Sequence, residues 1–186
     1  IEINNIPNYE IIIVGNCNID RKNTIIVPFN ESIKKTWITK KKNIGTSMAK
    51  YENIVVIHDY IIFNPYWYAG FKIFGDNFKW GSNIIKNFDN TRFRDYTIFH
   101  PFIDHINKSF SDKALLPYNL TNTKAINKFL YISGAYYFIK KDIANIYSLD
   151  ESKIWGQGED VEYTQRLHQN DIYISFNPYS EINFFQ

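Results

Sequence analysis

Cysteine is nearly absent from this sequence, since Cys17 is the only one among 186 residues. A single cysteine cannot form a disulfide within the chain, and no zinc-binding pattern surrounds it. The composition therefore excludes a disulfide-stapled fold and fits a reducing compartment. We predict a cytoplasmic protein on this ground.

Long apolar runs and an excess of one charge are also missing. No stretch approaches the roughly 20 apolar residues of a membrane-spanning helix, so we predict no transmembrane segment. The chain has 21 Lys and Arg against 19 Asp and Glu, and its densest basic run is residues 40–42. Because this run is short, we predict no nucleic-acid partner and a solvated loop at these lysines. A phosphate-facing role for one of them is the alternative.

Apolar and aromatic residues are plentiful, at 45% and 18% of the chain. This content is typical of a globular protein rather than a disordered one. A chain of 186 residues is long enough to bury a substantial core in one domain. We therefore predict a single domain over residues 1–186.

Short apolar runs predict strands in several places. Residues 9–14 and Asn53–Ile57 are continuous runs, the pattern of strands covered on both faces of a parallel sheet. His58 and Asp59 follow the second run, at the strand end where open α/β sheets bind ligands. Residues 129–139 predict a further strand that is broken by a serine and a glycine. Glycine inside a strand often marks a close approach of the backbone.

The other elements are predicted from weaker patterns. Thr24–Val27 and residues 37–39 are strand candidates, and residues 42–50 have the spacing of a short helix. Strand, helix and then Asn53–Ile57 predict a βαβ unit with a right-handed crossover. Residues 172–176 predict a last strand that ends at an Asn-Pro pair.

One loop near the end of the chain carries both glycines and acids, in the order Trp155-Gly156-Gln157-Gly158-Glu159-Asp160. The two glycines predict a tight loop where the backbone can approach a ligand closely. Apolar residues after the acids recur at helical spacing, so the acids open a predicted helix. They can simply face the positive end of the helix dipole. Alternatively, the loop presents a carboxylate and an aromatic ring to a sugar.

The order of these parts resembles the family 2 glycosyltransferases and their relatives with the GT-A fold. The resemblance spans nearly the whole chain. Four segments carry it: residues 9–14; Asn43-Ile44-Gly45 followed by Ala49; residues 55–60, which end in His58-Asp59-Tyr60; and Ser133-Gly134-Ala135 together with residues 155–162. The last segment resembles the W-G-x-E-D helix of those enzymes, and His58-Asp59-Tyr60 stands at their D-x-D position.

The resemblance implies an α/β fold of the GT-A type, with a mainly parallel central sheet flanked by helices on both faces. It divides the chain into a donor half at about 1–65 and an acceptor half at about 66–186. The usual first strand of the fold has no clear counterpart before Tyr9.

The activity that the resemblance implies is transfer of a sugar from a nucleotide-diphosphate donor to a hydroxyl of a glycan, a lipid-linked acceptor or a protein. Mn²⁺ or Mg²⁺ is the implied cofactor, and hard cations of this kind prefer oxygen ligands. The implied roles are Asp160 as general base with Glu159 beside it; Asn16, Asn43, His58 and Asp59 in donor binding; Gly134, Trp155 and Gly156 in acceptor binding; and Asp59 with His58 as metal ligands.

Two departures from the family pattern keep other functions open. Tyr60 stands at the third position of the metal motif, and Gly15-Asn16 stands where many relatives carry acids. The altered metal motif and the missing first strand favour a catalytically silent protein that binds nucleotide or glycan, whereas the intact Glu159-Asp160 pair argues against one. A nucleotidyltransferase is disfavoured, because the glycine-rich phosphate loop of such enzymes has no counterpart in the sequence.

Overall fold

The computed structural model describes residues 2–98, 115–120 and 126–185, which form a mixed α/β fold. The helices in these ranges are α1 (Ile38–Met48), α2 (Trp67–Phe74), α3 (Lys141–Ile146) and α4 (Glu159–His168), with 3-10 turns at Glu2–Asn4 and Asn127–Phe129. The strands are β1 (Ile11–Val14), β2 (Thr24–Val27), β3 (Asn53–Ile57), β4 (Ile61–Phe63), β5 (Trp80–Lys86), β6 (Thr97–Ile98), β7 (Leu130–Tyr131), β8 (Tyr136–Lys140) and β9 (Ile174–Phe184). None of the helices in the described ranges has the length and apolar character needed to cross a membrane.

The central sheet has five strands in the order β3-β8-β5-β9-β4. Its β5–β9 pairing is parallel, and its other three pairings are antiparallel. The expected mainly parallel sheet is therefore wrong, and the sheet is mixed. The apolar runs indicated burial on both faces, which a mixed sheet also provides, and they carry no information on the direction of the partner strand.

Two further strand pairs lie outside the central sheet. β1 and β2 form a parallel pair, and β6 and β7 form an antiparallel one. Because β2 and β3 belong to different sheets, the predicted βαβ unit does not form as a pair of neighbouring strands. The break predicted within residues 129–139 is present, since β7 ends at Tyr131 and β8 begins at Tyr136.

Helix α1 replaces the strand predicted at residues 37–39 and contains the predicted helix at its C-terminal part. Its buried residues are Thr39, Lys42 and Thr46, which lie on one face at helical spacing. The Thr39 hydroxyl donates to the Lys153 carbonyl oxygen at 2.7 Å. A polar face of this kind has no apolar periodicity, so the sequence gives little warning that it is buried.

The last strand, β9, continues through Pro178, so its predicted end at that residue is wrong. Its pairing with β5 jumps from Asn177 to Glu181 and leaves Pro178 in a bulge. A bulge tolerates proline, because the bulged residues are left out of the hydrogen-bonded ladder. Helix α2 packs tightly here, since a Cβ on Gly70 would lie 2.1 Å from a carbonyl oxygen of the bulge.

Apolar clusters cover both faces of the central sheet. On β8, Tyr136 and Phe138 pack on one face with helix α2, while Tyr137 and Ile139 pack on the other with α3 and α4. All residues of β8 are buried. Burying a large apolar side chain contributes about 1.5–3 kcal/mol, so this strand anchors the fold. It also fixes the loop that precedes it.

His168 is buried at the end of α4, against the ring of Tyr173. Neither of its ring nitrogens has a hydrogen-bond partner among the described residues. Burial lowers the pKa of His168 from 6.5 to about 4, because the charged imidazolium would lose its hydration. The folded protein therefore keeps this ring neutral at pH values where the unfolded chain protonates it.

We expect this difference to make the protein less stable in mild acid. The contribution of His168 is constant above about pH 6.5, falls as the pH is lowered to about 4, and is constant again below that. Within that range the free energy of unfolding falls by at most about 1.4 kcal/mol per pH unit from this group. Urea unfolding of the wild type and of His168→Phe measures it. The substituted protein is expected to have the smaller pH slope, and equal slopes would contradict the assignment.

Candidate active site

The acidic loop folds as the tight turn that its glycines predict. Gly156 and Gly158 have φ values of 80° and 68°, a region that favours glycine because it has no Cβ. Gly158 is the N-cap of α4 and makes no side-chain cap. Helix α4 begins directly after it, so Glu159 and Asp160 form its first turn.

Gly134, in the loop between β7 and β8, joins this turn to helix α1. Its backbone N–H donates to the Oδ2 of Asp160 at 3.0 Å, and its carbonyl oxygen accepts from the Nζ of Lys42 at 2.6 Å. A Cβ at Gly134 would lie 3.2 Å from the Cβ of Asp160 and 3.4 Å from both the Oε1 of Glu159 and the Nζ of Lys42. Three segments distant in sequence therefore meet around one glycine.

The charges at this meeting point are shielded from solvent. Lys42 and Glu159 are each only 6% exposed. Burial lowers the pKa of Lys42 to about 8, against the opposing effect of Glu159 and Asp160. Burial also raises the pKa of Glu159, and backbone N–H groups and Lys42 act in the opposite direction. Two acids thus share one buried ammonium group.

A small pocket opens between these groups. Its lining includes Lys42, Ser133, Gly134, Tyr137, Glu159 and Asp160. The cavity volume is about 10 Å³, which is room for about one water molecule or one hydroxyl group. Trp80, Ile132, Leu149 and Tyr163 complete the lining, so much of the pocket wall is apolar, and the pocket is too small to hold a whole sugar as it stands.

The end of β3 lies beside the same loop. The backbone N–H of His58 donates to the carbonyl oxygen of Ala135 at 3.0 Å, one residue after Gly134. The Nδ1 of His58 shares a 2.7 Å hydrogen bond with the Tyr60 hydroxyl. Its Nε2 is buried and has no partner among the described residues. Asp59 is exposed at the same strand end.

The electrostatic surroundings keep His58 neutral. Burial, together with the positive charges of Lys42 and Lys41, lowers its pKa to about 3. A neutral imidazole retains a lone pair that can accept a hydrogen bond or bind a metal ion. Groups of three or more His, Cys, Asp or Glu residues placed to hold a metal ion are not found in the described part of the chain.

The remaining predicted site residues are exposed at the surface or have side chains that already make hydrogen bonds within the protein. The side-chain amide of Asn43 makes three hydrogen bonds to Leu149 and Glu151, so it fixes α1 to the loop after α3. Asn16 is exposed and donates to a backbone carbonyl oxygen. Trp155 is 62% exposed, and no atom lies within 4 Å of a Cβ placed on Gly156. Their predicted binding roles stay predictions.

Lys42 is the site residue that the sequence did not single out. The predicted solvated loop at residues 40–42 is wrong, because these residues lie in α1. Lys40 and Lys41 do reach the surface, where they pair with Glu151 and Glu31. Lys42 is on the opposite, buried face. The only signal for the burial of Lys42 was its helical spacing with Thr39 and Thr46, the other buried polar residues of α1.

Comparison with known proteins supports the fold. No protein-family model and no curated protein matches the sequence. The fold is similar to that of GalNAc-T7, solved with UDP, GalNAc and Mn²⁺, with a TM-score of 0.58 and 13% identity. The match covers 94% of this chain but only 37% of that one. The inositol-1-phosphate CTP transferase from T. maritima is a weaker match, with a TM-score of 0.49, 10% identity, and coverage of 87% and 60%.

The first likeness shows the fold alone: a mixed α/β fold similar to that of the GT-A transferases. This outcome confirms the coarse part of the fold prediction, while the direction of the strands differs as described above. Membership of family 2 and the D-x-D equivalence of residues 58–60 stay predictions.

Proposed function

We propose that this protein is a glycosyltransferase that moves a sugar from a nucleotide diphosphate to an acceptor hydroxyl. The observation that carries the proposal is the meeting of Asp160, Glu159 and Lys42 around Gly134, beside the His58 end of β3. The GT-A-like fold supports it, because the similar structure of GalNAc-T7 was solved with UDP, GalNAc and Mn²⁺.

Asp160 acts as the general base in this proposal. Its Oδ2 accepts from Gly134 and its Oδ1 accepts from the N–H of Val161 at 2.9 Å. A carboxylate has about four acceptor positions, so roughly two remain for an acceptor hydroxyl. That hydroxyl gives its proton to Asp160 as its oxygen bonds to the anomeric carbon. The bond from that carbon to the diphosphate breaks, and the diphosphate leaves with the electron pair.

The other acceptor contacts surround this base. Glu159 binds further hydroxyls of the acceptor, and its buried carboxylate strengthens such hydrogen bonds. Gly156 leaves space for the acceptor, because no atom lies within 4 Å of a Cβ placed there, and Gly134 contributes its backbone beside Asp160. The exposed ring of Trp155 offers an apolar face to a sugar.

The donor is proposed to lie against residues 1–65. Asn16 and Asn43 lie on this side, and His58 and Asp59 face the diphosphate. The Nε2 of His58, which has no partner among the described residues, and the exposed carboxylate of Asp59 would hold Mn²⁺ or Mg²⁺, with phosphate oxygens as the remaining ligands. A bound divalent ion would neutralise the charge of the leaving diphosphate.

A catalytically silent protein that binds nucleotide or glycan is the second candidate. Tyr60 interrupts the metal motif, and its hydroxyl is engaged with His58. Both oxygens of Asp160 also accept backbone N–H groups, as a purely structural acid at a helix start would. Binding of a nucleotide sugar without any transfer would establish this second function.

Nucleotide sugars are expected to raise the melting temperature of the wild-type protein. A ligand that binds only the folded state stabilises it by about 2.7 kcal/mol at 100 times its Kd. Mn²⁺ is expected to increase the stabilisation by the bound donor in the wild type and to have a smaller effect in Asp59→Asn. A panel of nucleotide sugars in a thermal-shift assay, with release of nucleoside diphosphate as the activity readout, measures both.

Asp89→Asn is the matched control, because it removes the same charge from an exposed turn. There the Asp89 carboxylate accepts hydrogen bonds from the N–H and the hydroxyl of Thr91. An unchanged Mn²⁺ effect in Asp59→Asn would make Asp59 structural. Absence of both stabilisation and transfer across the whole panel would overturn the proposed function.

A further inference from the structure

We propose that Lys42 is a positioning residue that orients the Asp160 carboxylate through Gly134. The catalytic part of this inference rests on the proposed function, but the positioning itself does not. The inference starts from one chain of hydrogen bonds. The ammonium of Lys42 donates to the Gly134 carbonyl oxygen at 2.6 Å, and the Gly134 N–H donates to Asp160 at 3.0 Å.

Both hydrogen bonds of this chain are made by one glycine, whose backbone has no side chain to restrict it. Gly134 lies between two strands, in a turn that the N–H of Tyr136 closes by donating to the Ser133 carbonyl oxygen at 3.4 Å. A glycine in such a loop has more conformational freedom than any other residue. Fixing its carbonyl oxygen with an ammonium group limits the orientations of the residue and hence the direction of its N–H.

Lys42 is bound to the carbonyl oxygen rather than to either acid. Within the described ranges it makes no ion pair, although its neighbours Lys40 and Lys41 both do. The Oε1 of Glu159 and the Nζ of Lys42 each lie 3.4 Å from the Cβ position of Gly134. The distance between these two atoms is therefore at most twice 3.4 Å. The ammonium therefore acts on the two acids across a short gap, while its hydrogen bond holds the loop.

A buried ammonium without a direct ion pair is costly, because it has given up water for one carbonyl hydrogen bond and the face of the Tyr137 ring. Its lowered pKa, about 8, reflects that cost, and Glu159 and Asp160 reduce it. A residue needed only to fill this space would be better apolar. The ammonium therefore does more than fill space, because its hydrogen bond holds Gly134 against Asp160.

The substitution Lys42→Met removes the ammonium and keeps a similar length of apolar side chain. We expect kcat to fall by roughly 10–100-fold, the range found for groups that orient a catalytic residue, with little change in the KM for the donor. Lys42→Arg is expected to recover part of kcat, since a guanidinium also donates to a carbonyl. Lys41→Met is the matched control, because Lys41 pairs with Glu31 at the surface of the same helix.

A double-mutant cycle separates positioning from general damage. If Lys42 acts through Asp160, adding Lys42→Met to Asp160→Asn slows transfer no further. If the two substitutions instead reduce the transfer rate by the product of their separate effects, the inference is overturned. A folded Lys42→Met protein with the wild-type kcat would also overturn it. If Lys42→Met does not fold, Lys42→Leu replaces it, since leucine is also apolar and also removes the hydrogen bond to the Gly134 carbonyl oxygen.

Hydrogen exchange tests the positioning without any assay of activity. The Gly134 amide, followed by NMR, is expected to exchange at least several-fold faster in Lys42→Met than in Lys41→Met. Titration of Glu159 by NMR is expected to give a higher pKa in Lys42→Met, because the opposing ammonium is gone. Unchanged exchange would reject the inference. Faster exchange in a protein that transfers no sugar would retain the positioning and reject the proposed function instead.

Discussion

Replacing Asp160 by asparagine is expected to slow sugar transfer by about 10²–10⁴-fold, the usual effect of losing a general base. Asparagine keeps the size of the side chain but cannot take the proton of an acceptor hydroxyl. It has one acceptor oxygen where aspartate has two, so the hydrogen bond to either Gly134 or Val161 is lost. The stability cost is about 1 kcal/mol, and donor binding is expected to be unchanged.

Asp142 offers a matched control for this experiment. Its Oδ1 accepts the N–H of Ile143 at 2.8 Å in the first turn of α3, which is the same contact that Asp160 makes with Val161 in α4. Asparagine keeps one acceptor oxygen for the Ile143 N–H, so Asp142→Asn is expected to lose little stability and no activity. An Asp160→Asn protein that is destabilised but fully active would show that Asp160 only stabilises its helix.

Replacing Gly81 by alanine is expected to cause the largest loss of stability. Gly81 lies in β5 between β8 and β9, and a Cβ there would be 1.8 Å from the Ser175 carbonyl oxygen and 2.8 Å from the Phe138 ring. Because the first contact is with backbone, the strands must move apart. Overpacking typically costs about 1–3 kcal/mol, and this site is expected to reach or exceed the upper end.

Gly15→Ala is the control for Gly81→Ala, because no atom lies within 4 Å of the added Cβ. Thermal or urea unfolding measures both proteins. In a domain of this size, each kcal/mol lowers the melting temperature by about 2–4 °C. Equal melting temperatures for the two variants would contradict the close packing of β5 against β9.

Local signals in the sequence predicted the parts of the site that depend on local geometry. The glycines at 156 and 158 and the acids after them specify a turn and a helix start within a few residues. The break before β8 was also predicted, because glycine in a strand is a local signal. The meeting of these two segments was suggested by the family resemblance, and no periodicity in the sequence indicated it.

The errors all concern contacts between distant segments. Lys42 became buried because Gly134, which is 92 positions away, accepts its hydrogen bond. Strand direction depends on which strands become neighbours, and apolar runs do not encode that choice. Pro178 looked like a strand end, but the bulge that accommodates it forms only against helix α2. Propensity is a weak guide wherever such tertiary contacts decide the conformation.

The position of β9 has a consequence for how the protein folds during synthesis. This strand lies between β5 and β4, and it pairs Ile61 with Phe184. Until the ribosome has released β9, the strand β4 has no partner in the central sheet, and one edge of β5 stays open. Such long-range pairings make folding slow, and open strand edges favour aggregation. Until β9 emerges, the nascent chain is therefore in a state that chaperones are suited to protect.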